Sequence, residues 1–95
     1  MTIIIFCESL FPPGEVVVTQ GALEDVPEIE IGLSLNRHLQ GDWGDVCEED
    51  KQRNNAALVH EERLLSAYHT AGGVKFWIIT EADRSATTVL LPDEY

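Results

Sequence analysis

Between residues 42 and 50 the chain places five carboxylates, Asp42, Asp45, Glu48, Glu49 and Asp50, and sets Trp43 between Gly41 and Gly44. One chemistry open to such a cluster is imitation of a nucleic-acid backbone, which presents about one charge per 1.7 Å of duplex axis. Carboxylates spread over one face at about that density would occupy a basic DNA-binding protein in place of DNA, with Trp43 as an apolar anchor. A plainer chemistry accounts for most of the same residues. Asp45 suits a helix N-cap, Glu48 three residues later completes a capping-box pattern, and Glu48, Glu49 and Asp50 fall in a first turn where the helix dipole favours negative charge. A calcium or magnesium site fits poorly, because Asp42, Asp45 and Glu48 straddle a turn and match no EF-hand loop.

A second polar group is Glu81, Asp83, Arg84 and Ser85. Arg84 would anchor an anion, Asp83 or Glu81 would act as a base and Ser85 would offer a hydroxyl, with Trp77 or Tyr68 walling a small pocket. The plainer reading is an Asx-type turn in which Asp83 accepts from the backbone and Arg84 pairs with a local carboxylate. Ser85 lacks a nearby His and the glycines of a nucleophile elbow, so no residue is assigned as catalytic. His38, His60, His69, Cys7 and Cys47 show no zinc-ligand spacing, and no metal is expected. At Cys47 the neighbouring carboxylates oppose a thiolate. No phosphate-cradling glycine loop or dinucleotide fingerprint occurs, so no cofactor is expected.

The charge balance narrows the partners. Seventeen acidic residues face six basic ones, a formal net charge of −11. Direct nucleic-acid binding needs Lys and Arg to displace counterions, and an anionic membrane surface needs the same. Neither is expected; what remains is solubility or a partner protein with a basic surface. The first residues lack the charged n-region and cleavage site of a signal peptide, and no apolar run is long enough to span a bilayer. The expectation is a reduced, cytoplasmic protein.

With 95 residues the chain has material for a single core, residues 1–95 forming one domain. Thr2 to Cys7 reads as a short strand or an apolar arm and Val16 to Thr19 as a strand, separated by Pro12-Pro13-Gly14. Thr19 caps a short helix over residues 21–25 that Pro27 ends. Residues 28–35 alternate in the strand period, yet Leu35 and Leu39 are spaced for helix, and helix is predicted from about Leu33. After the turn at residues 41–45, a helix is predicted from Val46 to about His60, with Val46, Ala57 and Leu58 on its inner face and Cys47 and Asn54 between them. Arg63–Thr70, Val74–Thr80 and Thr87–Leu91 read as strands joined by Ala71-Gly72-Gly73 and a polar turn. One of Phe76 and Trp77 must face the core, and Trp43 is expected to pack on it.

Taken in order, Gly41-Asp42-Trp43-Gly44-Asp45-Val46, Arg63-Leu64-Leu65-Ser66-Ala67-Tyr68, Trp77-Ile78-Ile79-Thr80-Glu81-Ala82-Asp83-Arg84-Ser85 and Thr87-Thr88-Val89-Leu90-Leu91-Pro92-Asp93-Glu94-Tyr95 form a distinctive series of words. In these the chain resembles a family of small bacterial proteins of uncharacterised function carried on plasmids and integrated mobile elements. The resemblance covers residues 41–95 and extends, more weakly, over Gly14 to Glu24 with its Val-rich strand and Gly21-Ala22-Leu23-Glu24 run; between Asp25 and Asn36 the sequence departs from the family's helical pattern. It implies a role in a mobile element's dealings with its host, and it brings no activity, cofactor or catalytic residue.

The sequence therefore predicts an α+β domain: short N-terminal strands and two or three helices packed on a C-terminal antiparallel three-stranded meander. Its expected role is that of a non-enzymatic accessory protein that binds a basic protein through Asp42, Trp43, Asp45, Glu48, Glu49 and Asp50, in the manner of a DNA mimic. The alternative is a small ligand-binding module or enzyme using Glu81, Asp83, Arg84 and Ser85.

Overall fold

The computed structural model describes residues 9–95. The strand expected over Thr2–Cys7, and Cys7 itself, lie outside the described residues. Along the chain run β1 (Glu15–Val18), α1 (Gln20–Asp25), α2 (Glu28–Leu39), α3 (Glu48–His60), β2 (Leu64–His69), β3 (Lys75–Thr80) and β4 (Ala86–Leu90), then a 3₁₀ turn at Pro92–Glu94. The class is α+β as expected, but the arrangement of the sheet needs correction. Among the described residues it has four strands in the order β1-β4-β3-β2, and β1 lies parallel to β4 while the other pairs are antiparallel. The N-terminal strand is therefore part of the sheet rather than packed beside a separate meander. Val16 stands opposite Thr87 and Val18 opposite Val89, which places the valines on the same face as the core residues of β4.

That shared face makes the core. Leu64, Tyr68, Phe76, Ile78 and Val89 from the strands meet Ala22 and Val26 around α1, Ile31, Leu35 and Leu39 of α2, Ala57 of α3, and Phe11 and Trp43 from the loops. Each large apolar side chain buried there contributes roughly 1.5–3 kcal/mol relative to exposure. Phe76 faces this core, and Trp77, one residue on, points to the other face, where the Tyr95 ring meets it edge-on at 5.8 Å.

Two helix starts differ from expectation. α2 begins at Glu28, five residues before the expected Leu33. The alternation that reads as strand is split by the helical twist into two stripes: Ile31, Leu35 and Leu39 go inward, while Ile29 and Leu33 go outward. α3 begins at Glu48, and its N-cap is Cys47 with no side-chain cap. Asp45 is held elsewhere, because residues 43–45 lie along the outer edge of β2. The Ala67 N–H donates to the Trp43 carbonyl and the Asp45 N–H to the Ala67 carbonyl, at 3.1 and 2.7 Å. Gly44 makes this approach possible: its φ is +74°, and a Cβ there would stand 2.1 Å from the Ala67 carbonyl oxygen. Asn54 of α3 finishes the edge, accepting from the Leu65 N–H at 3.2 Å and donating to the Leu65 carbonyl at 2.8 Å. A sheet edge open to other strands is thereby closed.

Candidate functional site

Asp42, Trp43, Asp45, Glu48, Glu49 and Asp50 do not form one bare acidic face. Both carboxylate oxygens of Asp42 accept from Arg37, at 2.7 and 3.1 Å, and this guanidinium holds the Asp42 carboxyl below its ordinary range. Asp45 meets His69 Nδ1 at 2.7 Å. Asp50 and Glu49 flank Arg53 at 3.3 and 3.8 Å, whereas Glu48 stands exposed. Trp43 is buried, as the sequence suggested, and its indole N–H donates to the Asn55 side-chain carbonyl at 3.0 Å.

The turn between β3 and β4 carries Glu81, Asp83, Arg84 and Ser85. The Ser85 N–H donates to Asp83 Oδ1 at 3.0 Å, an Asx turn, and contact with Ser85 lowers the Asp83 carboxyl's pKa. Arg84 takes a left-handed backbone, φ +61° in a β-turn tip, and turns its guanidinium inward. There it donates to the carbonyls of Ala57, Glu62, Glu81 and Ala82 at 3.1, 2.6, 3.2 and 3.2 Å. By holding the Ala57 carbonyl in the last turn of α3 and the Glu62 carbonyl just beyond it, the cation also complements the negative end of the helix dipole. The pairing expected with a local carboxylate is replaced by carbonyl acceptors, and Trp77 and Tyr68 lie on opposite faces of the sheet.

The most developed polar arrangement is one that spacing did not signal. His38, fully buried on α2, meets Ser66 Oγ through Nδ1 at 2.6 Å and Thr80 Oγ1 through Nε2 at 2.8 Å; Thr80 meets Thr87 at 2.8 Å. Thr87 donates to the Pro13 carbonyl at 2.6 Å. Since a carbonyl only accepts, the direction of the whole chain follows. Thr87 spends its proton on Pro13, Thr80 donates to Thr87, His38 Nε2–H donates to Thr80, and Ser66 donates to the unprotonated Nδ1. The imidazole is thus a neutral Nε2–H tautomer. Burial, reinforced by the positive charge of Arg84, lowers its pKa to about 3. Phe11 and Trp43 close around the ring at centroid distances of 5.4 and 5.7 Å. A serine and histidine so enclosed have no route to a substrate; the chain joins α2, three strands and the loop before β1.

Surface cavities among the described residues include the following two. One, of about 320 Å³ between α3 and β2, is lined by Asp50, Arg53, Asn54, Ala57, Glu62, Arg63 and Leu65. Its charges are balanced, and Arg63 is tied at 2.5 Å to the Tyr95 hydroxyl. The other, of about 270 Å³, lies between α1 and α2 and is lined by Leu23, Val26, Glu28 and Ile31. Among the described residues no three His, Cys, Asp or Glu side chains gather to hold a metal ion, and no helix is long and apolar enough to cross a membrane.

The α1–α2 layer differs from the rest in charge and exposure. Residues 1–36 contain no Lys, Arg or His, and Glu24, Asp25, Glu28 and Glu30 fall within this layer. None of these four forms an ion pair among the described residues; Glu24 accepts from Gln20 and Glu30 from the Ala71 N–H. Beside them Ile29 is 73% and Leu33 58% exposed, and Leu23 is half exposed. Gly32 lies between Ile29 and Leu33 with nothing within 4 Å of where a Cβ would be. Glycine inside a helix costs about 1 kcal/mol relative to alanine, and no packing among the described residues requires it. Sequence reasoning missed this surface because the strand-like alternation hid the outward stripe; the absence of basic residues before Arg37 was the available signal. In comparisons with family models, curated proteins and solved structures, nothing matches the chain.

Proposed function

We propose that this protein is a non-enzymatic accessory protein that acts by binding another protein with a basic surface. The observation that carries this reading is the uncompensated negative charge of the α1–α2 layer, set beside exposed apolar side chains. Charge of one sign steers an oppositely charged partner into encounter, and apolar groups then hold it. The residues with chemical competence, His38, Ser66, Asp83 and Arg84, are occupied in internal hydrogen bonds, which favours binding over catalysis. In the finer form of the proposal the counterpart is a DNA-binding protein of a bacterial host, occupied by carboxylates in place of phosphates. Glu48 and Glu49, exposed at the start of α3, extend the acidic surface available to it.

The test is capture from bacterial lysate on the immobilised chain over a salt series, beside an unrelated protein of equal net charge. Retention of basic proteins specific to this chain, released as screening shortens the Debye length from about 10 Å towards 3 Å, is the expected result. If the two columns retain the same proteins, the charge is a solvent coat and the proposal is lost.

A further inference from the structure

We infer that the outward stripe of α2, Ile29, Gly32, Leu33 and Asn36, receives a helix of a partner protein, amphipathic and bearing Lys or Arg beside its apolar face. The inference rests on the protein-binding role proposed above and names the surface and the chemistry of its occupant.

The spacing is the first argument. Positions i, i+3, i+4 and i+7 of a helix enclose the diamond into which a side chain of a facing helix inserts. Here its sides are the exposed Ile29 and Leu33, Asn36 closes it, and its fourth corner is Gly32. Asn36 donates to the Gly32 carbonyl at 3.1 Å, so the polar corner is folded back along the helix and leaves the apolar pair prominent. Gly32 is the second argument. Without a Cβ a facing backbone can come close, and among the described residues nothing stands within 4 Å to use that freedom. Charge is the third. Glu28 and Glu30 lie on α2 itself and Glu24 and Asp25 on the preceding helix, with no basic residue before Arg37. A helix carrying Lys or Arg at the rim of its apolar stripe matches this border, whereas a second copy of the chain would bring the same carboxylates against it.

The probe is a synthetic amphipathic helix of about 20 residues built from Leu and Lys alone, with a peptide of the same composition in scrambled order as control. Each is titrated into the ¹⁵N-labelled full chain. The amphipathic peptide is expected to shift the amides of residues 28–37 and the scrambled peptide to bind about tenfold more weakly. Ile29→Gln with Leu33→Gln is expected to weaken binding about tenfold, and Gly32→Gln about fivefold with a raised unfolding midpoint, since it removes a helix-interior glycine while blocking close approach. The inference is overturned, with the broader proposal left standing, if the peptide binds at other residues or is indifferent to these variants. It is also overturned if the α2 amides shift with protein concentration alone, which assigns the stripe to self-association. If neither peptide binds at low salt, both the inference and the basic-partner reading fall.

Discussion

Acidification should destabilise this fold in a pH range where carboxylates are still charged, and His38 is the reason. In the folded chain the imidazole is neutral, with a pKa lowered to about 3, chiefly by burial. In the unfolded chain it titrates at about 6.5. The unfolded state therefore binds a proton that the folded state refuses between these values, and stability falls as pH falls across that window. Each unit below about 6.5 costs roughly 1.4 kcal/mol, so going from about pH 7 to about pH 5 should remove about 2 kcal/mol. For a domain stable by 5–15 kcal/mol that is a large share, and it moves a urea midpoint by roughly 1 M. The lowered carboxyls of Asp42, Asp83 and Glu94 act the same way but only at lower pH, since each stays ionised into the acid range. The assay is urea unfolding at several pH values for the native chain and for His38→Gln. Relief of carboxylate repulsion on acidification is common to both, so their difference isolates the imidazole. The reasoning fails if His38→Gln keeps the native slope, or if NMR shows the folded His38 ring titrating near neutrality or carrying its proton on Nδ1.

Three further substitutions probe how the elements are joined. Asn54→Ala should cost about 2–3 kcal/mol in urea unfolding, since it strips both hydrogen bonds from the Leu65 backbone at the covered edge of β2. Gly44→Ala should cost about 2 kcal/mol or more, combining a left-handed backbone with a Cβ driven into the Ala67 carbonyl and the Tyr68 ring; hydrogen exchange should rise along β2. Arg84→Lys should destabilise by about 1–2 kcal/mol and raise exchange at the end of α3, because one ammonium cannot serve the carbonyls that Nη1 and Nη2 reach together.

Residue chemistry alone determined much of the local structure. The valines before Thr19, the Thr19 cap, whose hydroxyl accepts from the Ala22 N–H at 3.3 Å, and the glycine turn before β3 each declare themselves through preferences set within a few residues. The Asx turn at Asp83 and the burial of Trp43 were legible for the same reason. What lay beyond the sequence were the long-range pairings. Nothing near β1 says that it joins β4 in parallel, because that register is chosen by matching Val16 and Val18 to the core face of a strand 71 residues away. The N-cap expected of Asp45 gave way because backbone pairing with Ala67 and the contact with His69 hold that residue outside α3. His38, Ser66, Thr80 and Thr87 carry no motif; tertiary packing brings their hydroxyls and ring into one directed chain. In the same way the charge of −11 was plain from composition, yet only the folded chain shows which carboxylates are paired and which stand beside bare apolar side chains. Composition counts charges; their pairing depends on which surfaces the core brings together.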